Sequence, residues 1–147
     1  MTVPVFEISG RPEMHHVEKR WGSELWVCNN DLYCSKRIRI DVGKFTSLHH
    51  HEIKDEVIEV VEGRLLLTGT CGPDCHECGG GDAWCLNSEQ AHFLEAGQTV
   101  RIRPRTRHQL HGLSGVRLAE YSTTHSDHDS YRTTTSSVGF PILRRSV

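Results

Sequence analysis

The feature that most constrains this chain is a histidine-rich stretch, residues 43–63, that begins and ends with glycine. Its metal-binding side chains are three consecutive histidines and one nearby carboxylate: His49, His50, His51 and Glu56. On an extended strand, residues i and i+2 point to the same side, so His49 and His51 project together and His50 points away. This grouping suits a divalent metal ion better than a packed core. From the residues alone, a solvated polar loop is the alternative.

The rest of the chain is typical of an all-β protein, because short apolar or alternating runs are separated by Gly, Asn, Asp and Pro. We expect strands at 24–28, 33–42, 56–61, 64–68, 91–94, 99–102, 108–113 and 116–122. Glu62-Gly63 predicts a hairpin between two of these strands. Only residues 12–19 indicate a helix, and a modest one. So many short strands predict a sandwich or a small barrel.

Bulk properties narrow the class of protein. The 147 residues fit one domain, and a formal charge of −2 gives no electrostatic basis for nucleic-acid or membrane binding. No run is apolar enough to span a bilayer, and the N-terminus does not resemble a signal peptide. We therefore expect a cytoplasmic protein with reduced thiols.

The spacing within residues 43–63 resembles the first signature motif of the cupin family. Gly43 is followed after five residues by His49-x-His51, after four more by Glu56, and after six more by Gly63. The resemblance implies a double-stranded β-helix, or jelly-roll barrel, that fills residues 17–132, with terminal arms and an inserted loop at 70–90. Cupins use such arms to pair, so it also implies a homodimer.

The second cupin motif supplies a further histidine, His108, eleven residues after Gly97. The proline and glycine usual in this motif are replaced by Arg103 and Arg105, so the ligand is kept but the turn chemistry is not. The resemblance implies a site of three histidines and one carboxylate: His49, His51, Glu56 and His108. Such a site suits Zn, Mn, Fe, Ni or Co and leaves one or two coordination positions open.

Lys54 gives the stretch a more specific resemblance. The string His49-x-His51-x-x-Lys54-x-Glu56 is similar to cupin sugar isomerases of the D-lyxose isomerase type, in which the lysine lies by the substrate and moves protons. Residues 17–22 and 120–132 are similar to corresponding parts of phosphomannose-isomerase-like cupins. A partly desolvated lysine near a cation should have a depressed pKa and act as acid or base. A solvent-exposed lysine in a charged loop is the equal alternative.

Two further groups leave alternatives open. The arginines of RIRPRTRH predict a solvated face, or a phosphate-binding site in which Arg105 and Arg107 contact substrate. Four cysteines of the 70–90 loop can form a second, structural zinc site or stay as reduced thiols, with a disulfide as the third reading: Cys71, Cys75, Cys78 and Cys85.

These features predict a metal-dependent aldose–ketose isomerase that acts on a sugar or sugar phosphate, with Lys54 as the proton shuttle. Either Lys54 itself or a carboxylate such as Glu24 can serve as the base. The alternatives are a metal-dependent dioxygenase with the same ligands, and a cupin that binds sugar or metal without catalysis.

Overall fold

A computed structural model describes residues 6, 8, 10, 15–70, 90–132 and 137–138. These residues form thirteen strands and no α-helix. The strands are β1 His16–Lys19, β2 Gly22–Asn29, β3 Cys34–Ile40, β4 Lys44–Phe45, β5 His49–His50, β6 Glu56–Glu62, β7 Arg64–Thr70, β8 Gln90–Glu95, β9 Thr99–Ile102, β10 Arg107–Gly112, β11 Val116–Ser122, β12 Tyr131–Arg132 and β13 Ser137–Val138. A membrane-spanning helix does not occur in the described ranges.

The strands form two antiparallel sheets. One has the order β1-β2-β3-β11-β6-β9, and the other has the path β12-β5-β10-β4-β13, with β7 on the free side of β10 and β8 beyond it. From β3 onward the chain passes repeatedly from one sheet to the other. This alternation gives the jelly-roll arrangement that the sequence predicts, with the apolar core between the sheets.

Side-chain alternation explains which face of each strand lies inside. In β3, Ile38 and Ile40 are buried while Arg37 and Arg39 are exposed, as expected. The turn before β3 is closed by Asn30, whose Oδ1 accepts hydrogen bonds from the backbone N–H groups of Leu32 and Tyr33. The β2–β3 pair is therefore set by its own sequence.

The predicted hairpin between residues 56–61 and 64–68 is wrong. β6 pairs with β11 and β9, whereas β7 pairs with β10 and β8 in the other sheet. Gly63, at φ +88°, turns the chain from one sheet to the other, and a Cβ there would lie 2.6 Å from the carbonyl oxygen of Gly115. The Glu62-Gly63 signal therefore marks a corner between the sheets.

Several other expectations can be placed. Residues 16–19 form β1, so the modest helix predicted at 12–19 is wrong for that part. The loop cysteines, Cys71, Cys75, Cys78 and Cys85, lie outside the described residues, as do most of the terminal arms. A single protomer is described, so the homodimer stays a prediction.

Candidate metal centre

Strand pairing brings the two predicted motifs together. His49 in β5 and His108 in β10 are directly opposite each other in an antiparallel pair. His51 follows β5 on the same side of the chain as His49. One imidazole nitrogen from each of the three rings lies within 4.8 Å of the other two, which is a grouping that can hold a metal ion. His50 faces elsewhere, since its Nε2 lies 3.0 Å from Glu52 and its ring stacks on Tyr131.

The backbone fixes the orientation of all three rings. Nδ1 of His49 lies 2.9 Å from the carbonyl oxygen of Ser47, and Nδ1 of His108 lies 2.9 Å from that of Thr106. Nδ1 of His51 lies 2.6 Å from the carbonyl oxygen of residue 129. A carbonyl oxygen only accepts, so each Nδ1 carries the proton and each Nε2 keeps its lone pair. Metal-binding histidines are held in this way.

Glu56 lies beside the three rings. It is 4% exposed, and its Oε1 lies 3.0 Å from Nε2 of His108. With the His108 proton on Nδ1, these two atoms are both acceptors and repel unless a cation or a second proton lies between them. The oriented histidines and this carboxylate fit a divalent cation, as the sequence predicts. Glu56 as the fourth ligand stays a prediction, since the group of atoms within 4.8 Å of one another consists of the three histidine nitrogens.

The electrostatics favour the ligand forms of His49, His51 and Glu56. Burial, helped by the neighbouring His108, lowers the pKa of His49 to about 3, and burial also lowers the pKa of His51. Burial would raise the pKa of Glu56, but its hydrogen bond with His108 and nearby positive charge hold that pKa well below its usual range. Burial would lower the pKa of His108, but the bond and charge of Glu56 raise it. His49 and His51 are therefore neutral and Glu56 is ionised at neutral pH.

Asp129 supports the loop that carries His51 and Lys54, and sequence reasoning missed it. Its carboxylate accepts backbone hydrogen bonds from Glu52 at 2.8 Å, from Ile53 at 3.2 Å and from Lys54 at 3.0 Å. Burial alone would raise the pKa of Asp129, but these three N–H donors lower it. Its backbone oxygen also faces His51, so one residue after β11 orders the whole turn.

Lys54 is buried between two carboxylates. Its Nζ lies 3.0 Å from Oε2 of Glu56 and makes a short hydrogen bond to Oε1 of Glu120, and the side chain is 3% exposed. Burial would lower the pKa of Lys54, but the charges and hydrogen bonds of Glu120 and Glu56 outweigh it and raise the pKa. The described residues therefore raise the pKa of Lys54, whereas the depressed pKa that the sequence predicts beside a bound cation stays a prediction; the reading of Lys54 as a solvent-exposed lysine is wrong.

A second lysine, Lys36, also faces the interior. It lies on the inward side of β3 with Ile38 and Ile40, opposite Glu120 in β11. Its Nζ lies 3.7 Å from Oε2 of Glu24. The i, i+2 register with the two isoleucines was the signal that could have placed Lys36 inside.

These groups line one cavity between the sheets. The space open to the centres of water-sized spheres is about 80 Å³, and the whole empty volume, which includes solvent at an open mouth, is about 630 Å³. The described lining carries acidic, basic and imidazole side chains: Lys19, Glu24, Lys36, His49, His51, Lys54, Glu56, His108, Glu120, His125 and Arg132. The cavity has room for a metal ion and the reacting end of a small polar molecule, whose remainder would extend into the mouth.

Arg105 and Arg107, the predicted substrate-binding residues, do not line this cavity. Arg107 instead lines a second cavity at the far side of His108. Arg105 has φ +68° at the position where the cupin motif usually has glycine, and its Nε lies 3.4 Å from Glu52. Arg101 pairs with Asp55 and Arg103 is exposed, and both also line the second cavity with Arg107. The turn keeps its left-handed backbone without glycine.

Comparison with known proteins reveals fold likeness at low identity. No protein-family model matches the chain, and no curated protein matches it by sequence. Solved structures do match. An oxalate decarboxylase variant from Bacillus subtilis has a TM-score of 0.64 and 12% identity over 81% of this chain and 30% of that one.

Two further comparisons agree. KdgF from Halomonas sp. has a TM-score of 0.60 and 14% identity over 79% of this chain and 93% of that one. The capsular polysaccharide assembling protein CapF from Staphylococcus aureus has a TM-score of 0.61 and 14% identity, over 82% of this chain and 32% of that one. The chain thus spans about a third of the decarboxylase and of CapF. All three are cupin-fold proteins, which confirms the predicted fold; at these identities the likeness shows the fold alone.

Proposed function

We propose that the protein is a metal-dependent aldose–ketose isomerase that acts on a sugar or sugar phosphate. The observation that carries this proposal is the position of Lys54, which is buried between Glu56 and Glu120 in the same cavity as the three oriented histidines. A metal centre alone serves many reactions. A buried acid–base pair beside it favours a reaction that moves protons.

An aldose–ketose isomerase has three tasks: it polarises a carbonyl group, moves a proton between adjacent carbons and moves another between the two oxygens. Bound by His49, His51, His108 and Glu56, a divalent cation supplies the Lewis acid for the first task. The remaining tasks need an acid that reaches oxygen and a base that reaches carbon, and both must be held in place before substrate binds.

Lys54 and Glu120 suit these two tasks. An ammonium group has three donors, of which Glu56 and Glu120 take two, so one is left for a substrate oxygen. Because its pKa is raised, Lys54 is protonated at neutral pH and starts as the acid. Glu120, which accepts the hydrogen bond from Lys54, serves as the base that takes the carbon-bound proton. Glu24, the base suggested by the sequence, is held instead by Trp26 and Lys36.

The experiment that tests the proposal is a turnover screen. The protein is loaded in turn with Zn, Mn, Fe, Ni and Co and incubated anaerobically in D2O with aldoses, ketoses and their phosphates. We expect interconversion of one pair, with deuterium from solvent at the adjacent carbon that gains the proton. Lys54→Met and Glu120→Gln should each lower kcat by about 10²-fold or more with unchanged metal content, given the usual contribution of acid–base groups.

Other outcomes would contradict the proposal. Turnover that consumes O2 in the iron-loaded protein and stops anaerobically would favour the dioxygenase alternative. Metal and sugar binding without turnover of any tested pair would favour a binding protein. Arg117→Gln is a suitable control, because Arg117 is exposed on the outer side of β11 and pairs with Glu62 away from the cavity.

A further inference from the structure

Lys36 is a buried lysine whose contacts with Glu24, His125 and Trp26 are all long. Its side chain is 4% exposed, yet its Nζ lies 3.7 Å from Glu24, 3.4 Å from Nδ1 of His125 and 4.0 Å from the centre of the Trp26 ring. A buried ammonium is costly unless acceptors approach it closely. Because Lys36 lines the cavity, a molecule bound there can supply the close acceptor.

The surroundings hold Lys36 in place for such a molecule. Trp26 donates from Nε1 to Glu24 at 3.1 Å, which fixes the carboxylate beside the lysine. The side chain of Asn29 bonds both backbone groups of His125, at 2.9 and 3.1 Å, and so fixes the ring that faces Lys36. An ammonium whose neighbours are already ordered loses little freedom when a ligand binds.

The charge of the lining indicates which ligand would fit. Three carboxylates, Glu24, Glu56 and Glu120, face two deep ammonium groups, Lys36 and Lys54, so the deep lining has one excess negative charge. A divalent cation reverses this to one excess positive charge. The described lining also includes Lys19 and Arg132, which are less buried and add to that excess. A negative group on the bound molecule would bring the filled cavity closer to neutrality.

We propose that Lys36 determines substrate specificity by binding an anionic group, a carboxylate or a phosphate, on a polyhydroxylated molecule. Lys36 lies opposite Glu120 in the β3–β11 pair, and Glu120 bonds Lys54. An anion held by Lys36 therefore lies next to the acid–base pair that would act on the rest of the molecule. The polyhydroxylated class rests on the proposed function, whereas the anionic group rests on Lys36 and the charge balance.

Binding of three matched probes tests this without any turnover: a neutral hexitol, the aldonate of the same length and the hexitol phosphate. None carries a carbonyl group, so none is a substrate of an isomerase. By calorimetry on the metal-loaded protein, at least one anion should bind about tenfold or more tighter than the hexitol, as expected for a charge-assisted hydrogen bond. The aldonate and phosphate arms distinguish the two sources of charge.

Variants assign the preference to Lys36. Lys36→Met should bind the anion and the hexitol with about equal affinity, whereas Lys36→Arg should retain most of the preference for the anion. Lys44→Met should leave the preference unchanged, since Lys44 pairs with Asp41 outside the cavity. If Lys36→Met does not fold, the double variant Lys36→Met/Glu24→Gln removes both charges of the pair and should also lack the preference.

Two results would overturn the proposal: equal affinity of the wild type for the neutral and anionic probes, or a preference that survives Lys36→Met. The second would assign anion binding to the metal. Isomerisation of a neutral sugar with no anion preference would reject the role of Lys36 and leave the isomerase standing. Anion preference that depends on Lys36 but comes without turnover of any sugar would reject the isomerase and leave the role of Lys36 standing.

Discussion

Nε2 of His108 lies 3.0 Å from Oε1 of Glu56, although Nδ1 of the same ring already faces the carbonyl oxygen of Thr106. A neutral imidazole has one N–H proton, and here it lies on Nδ1, which donates it in a hydrogen bond to the carbonyl oxygen. The remaining contact joins a lone pair to a carboxylate in a buried place, so it needs positive charge. A bound cation supplies that charge, and so does a second proton on His108, whose pKa burial would lower but the bond and charge of Glu56 raise. The pair therefore fits a metal centre and also an imidazolium–carboxylate pair.

The first prediction concerns metal binding. His51→Ala should lose the bound metal, while His50→Ala should keep it, because only His51 shares the cavity with His49 and His108. Elemental analysis of the two variants checks this. At a free metal concentration of a thousand times Kd, metal should stabilise the wild type and His50→Ala by about 4 kcal/mol. Equal metal content in both variants would contradict the assignment.

The second prediction concerns the buried ion pair of Lys54 and Glu120. Lys54→Met leaves two carboxylates buried without their cation, so it should lower the free energy of unfolding by about 3–5 kcal/mol. Adding Glu120→Gln should recover part of that loss. Urea denaturation of the two single variants and the double variant gives the coupling energy.

A matched pair on the surface serves as the control for that cycle. Arg117 and Glu62 also contact each other across neighbouring strands, but both side chains are more than half exposed. Solvent and salt screen such a pair, so the same cycle there should give a much smaller coupling. Similar coupling energies at the two positions would mean that the burial of Lys54 does not matter to stability.

Local spacing was enough to predict some of this architecture. His49 and His108 could be predicted because each belongs to a motif whose spacing survives in the sequence. The hairpin error at Glu62-Gly63 has a different origin, since two strands around a glycine look the same locally whether they pair or separate into two sheets. The difference depends on partners distant in sequence.

The inward polar residues were harder to predict for a related reason. Lys36 lies on the same face of its strand as Ile38 and Ile40, but a lysine in a strand usually indicates the face that is exposed to solvent. Asp129 acts on a loop more than seventy residues earlier, and no local pattern relates the two. Burial of charge becomes understandable only when the partner charges, here Glu24 and Glu120, are placed beside it.

The third prediction concerns pH. Burial lowers the pKa of His111, a fully buried residue outside the metal centre, to about 4 from an ordinary value of 6.5. Between these values the unfolded chain binds a proton that the folded chain does not, so stability is fully present above pH 6.5 and falls as the pH falls towards 4. His111 should therefore lower the free energy of unfolding by about 2.5 kcal/mol between pH 7 and pH 4.5.

Urea denaturation at the two pH values, with a chelator present, measures that contribution. Between pH 7 and pH 4.5, the free energy of unfolding of His111→Gln should fall by about 2.5 kcal/mol less than that of the wild type, because glutamine does not titrate. His16→Gln, at an exposed position of β1, should lose as much as the wild type. An unchanged pH dependence in His111→Gln would show that this histidine does not carry the effect.

The fourth prediction concerns the turn before His108. Arg105 is the one non-glycine residue with positive φ among the described residues, at +68°. A side chain with Cβ costs about 1–2 kcal/mol in this region, and part of that is offset by the extra freedom of glycine in the unfolded chain. Arg105→Gly should therefore be more stable than Arg105→Ala by roughly 0.5–1 kcal/mol. Both variants lose the contact with Glu52, so the difference reports the backbone alone.

Arg103, two residues earlier in the same turn, provides the comparison, because its φ is not positive. There Arg103→Ala should be more stable than Arg103→Gly, since glycine gains nothing in the folded state and adds freedom to the unfolded chain. Thermal or urea denaturation of the four variants shows whether the glycine or the alanine variant is more stable at each position. The same order at the two positions would mean that Arg105 is not strained. It would then follow that the motif loses its glycine here because this turn no longer needs one.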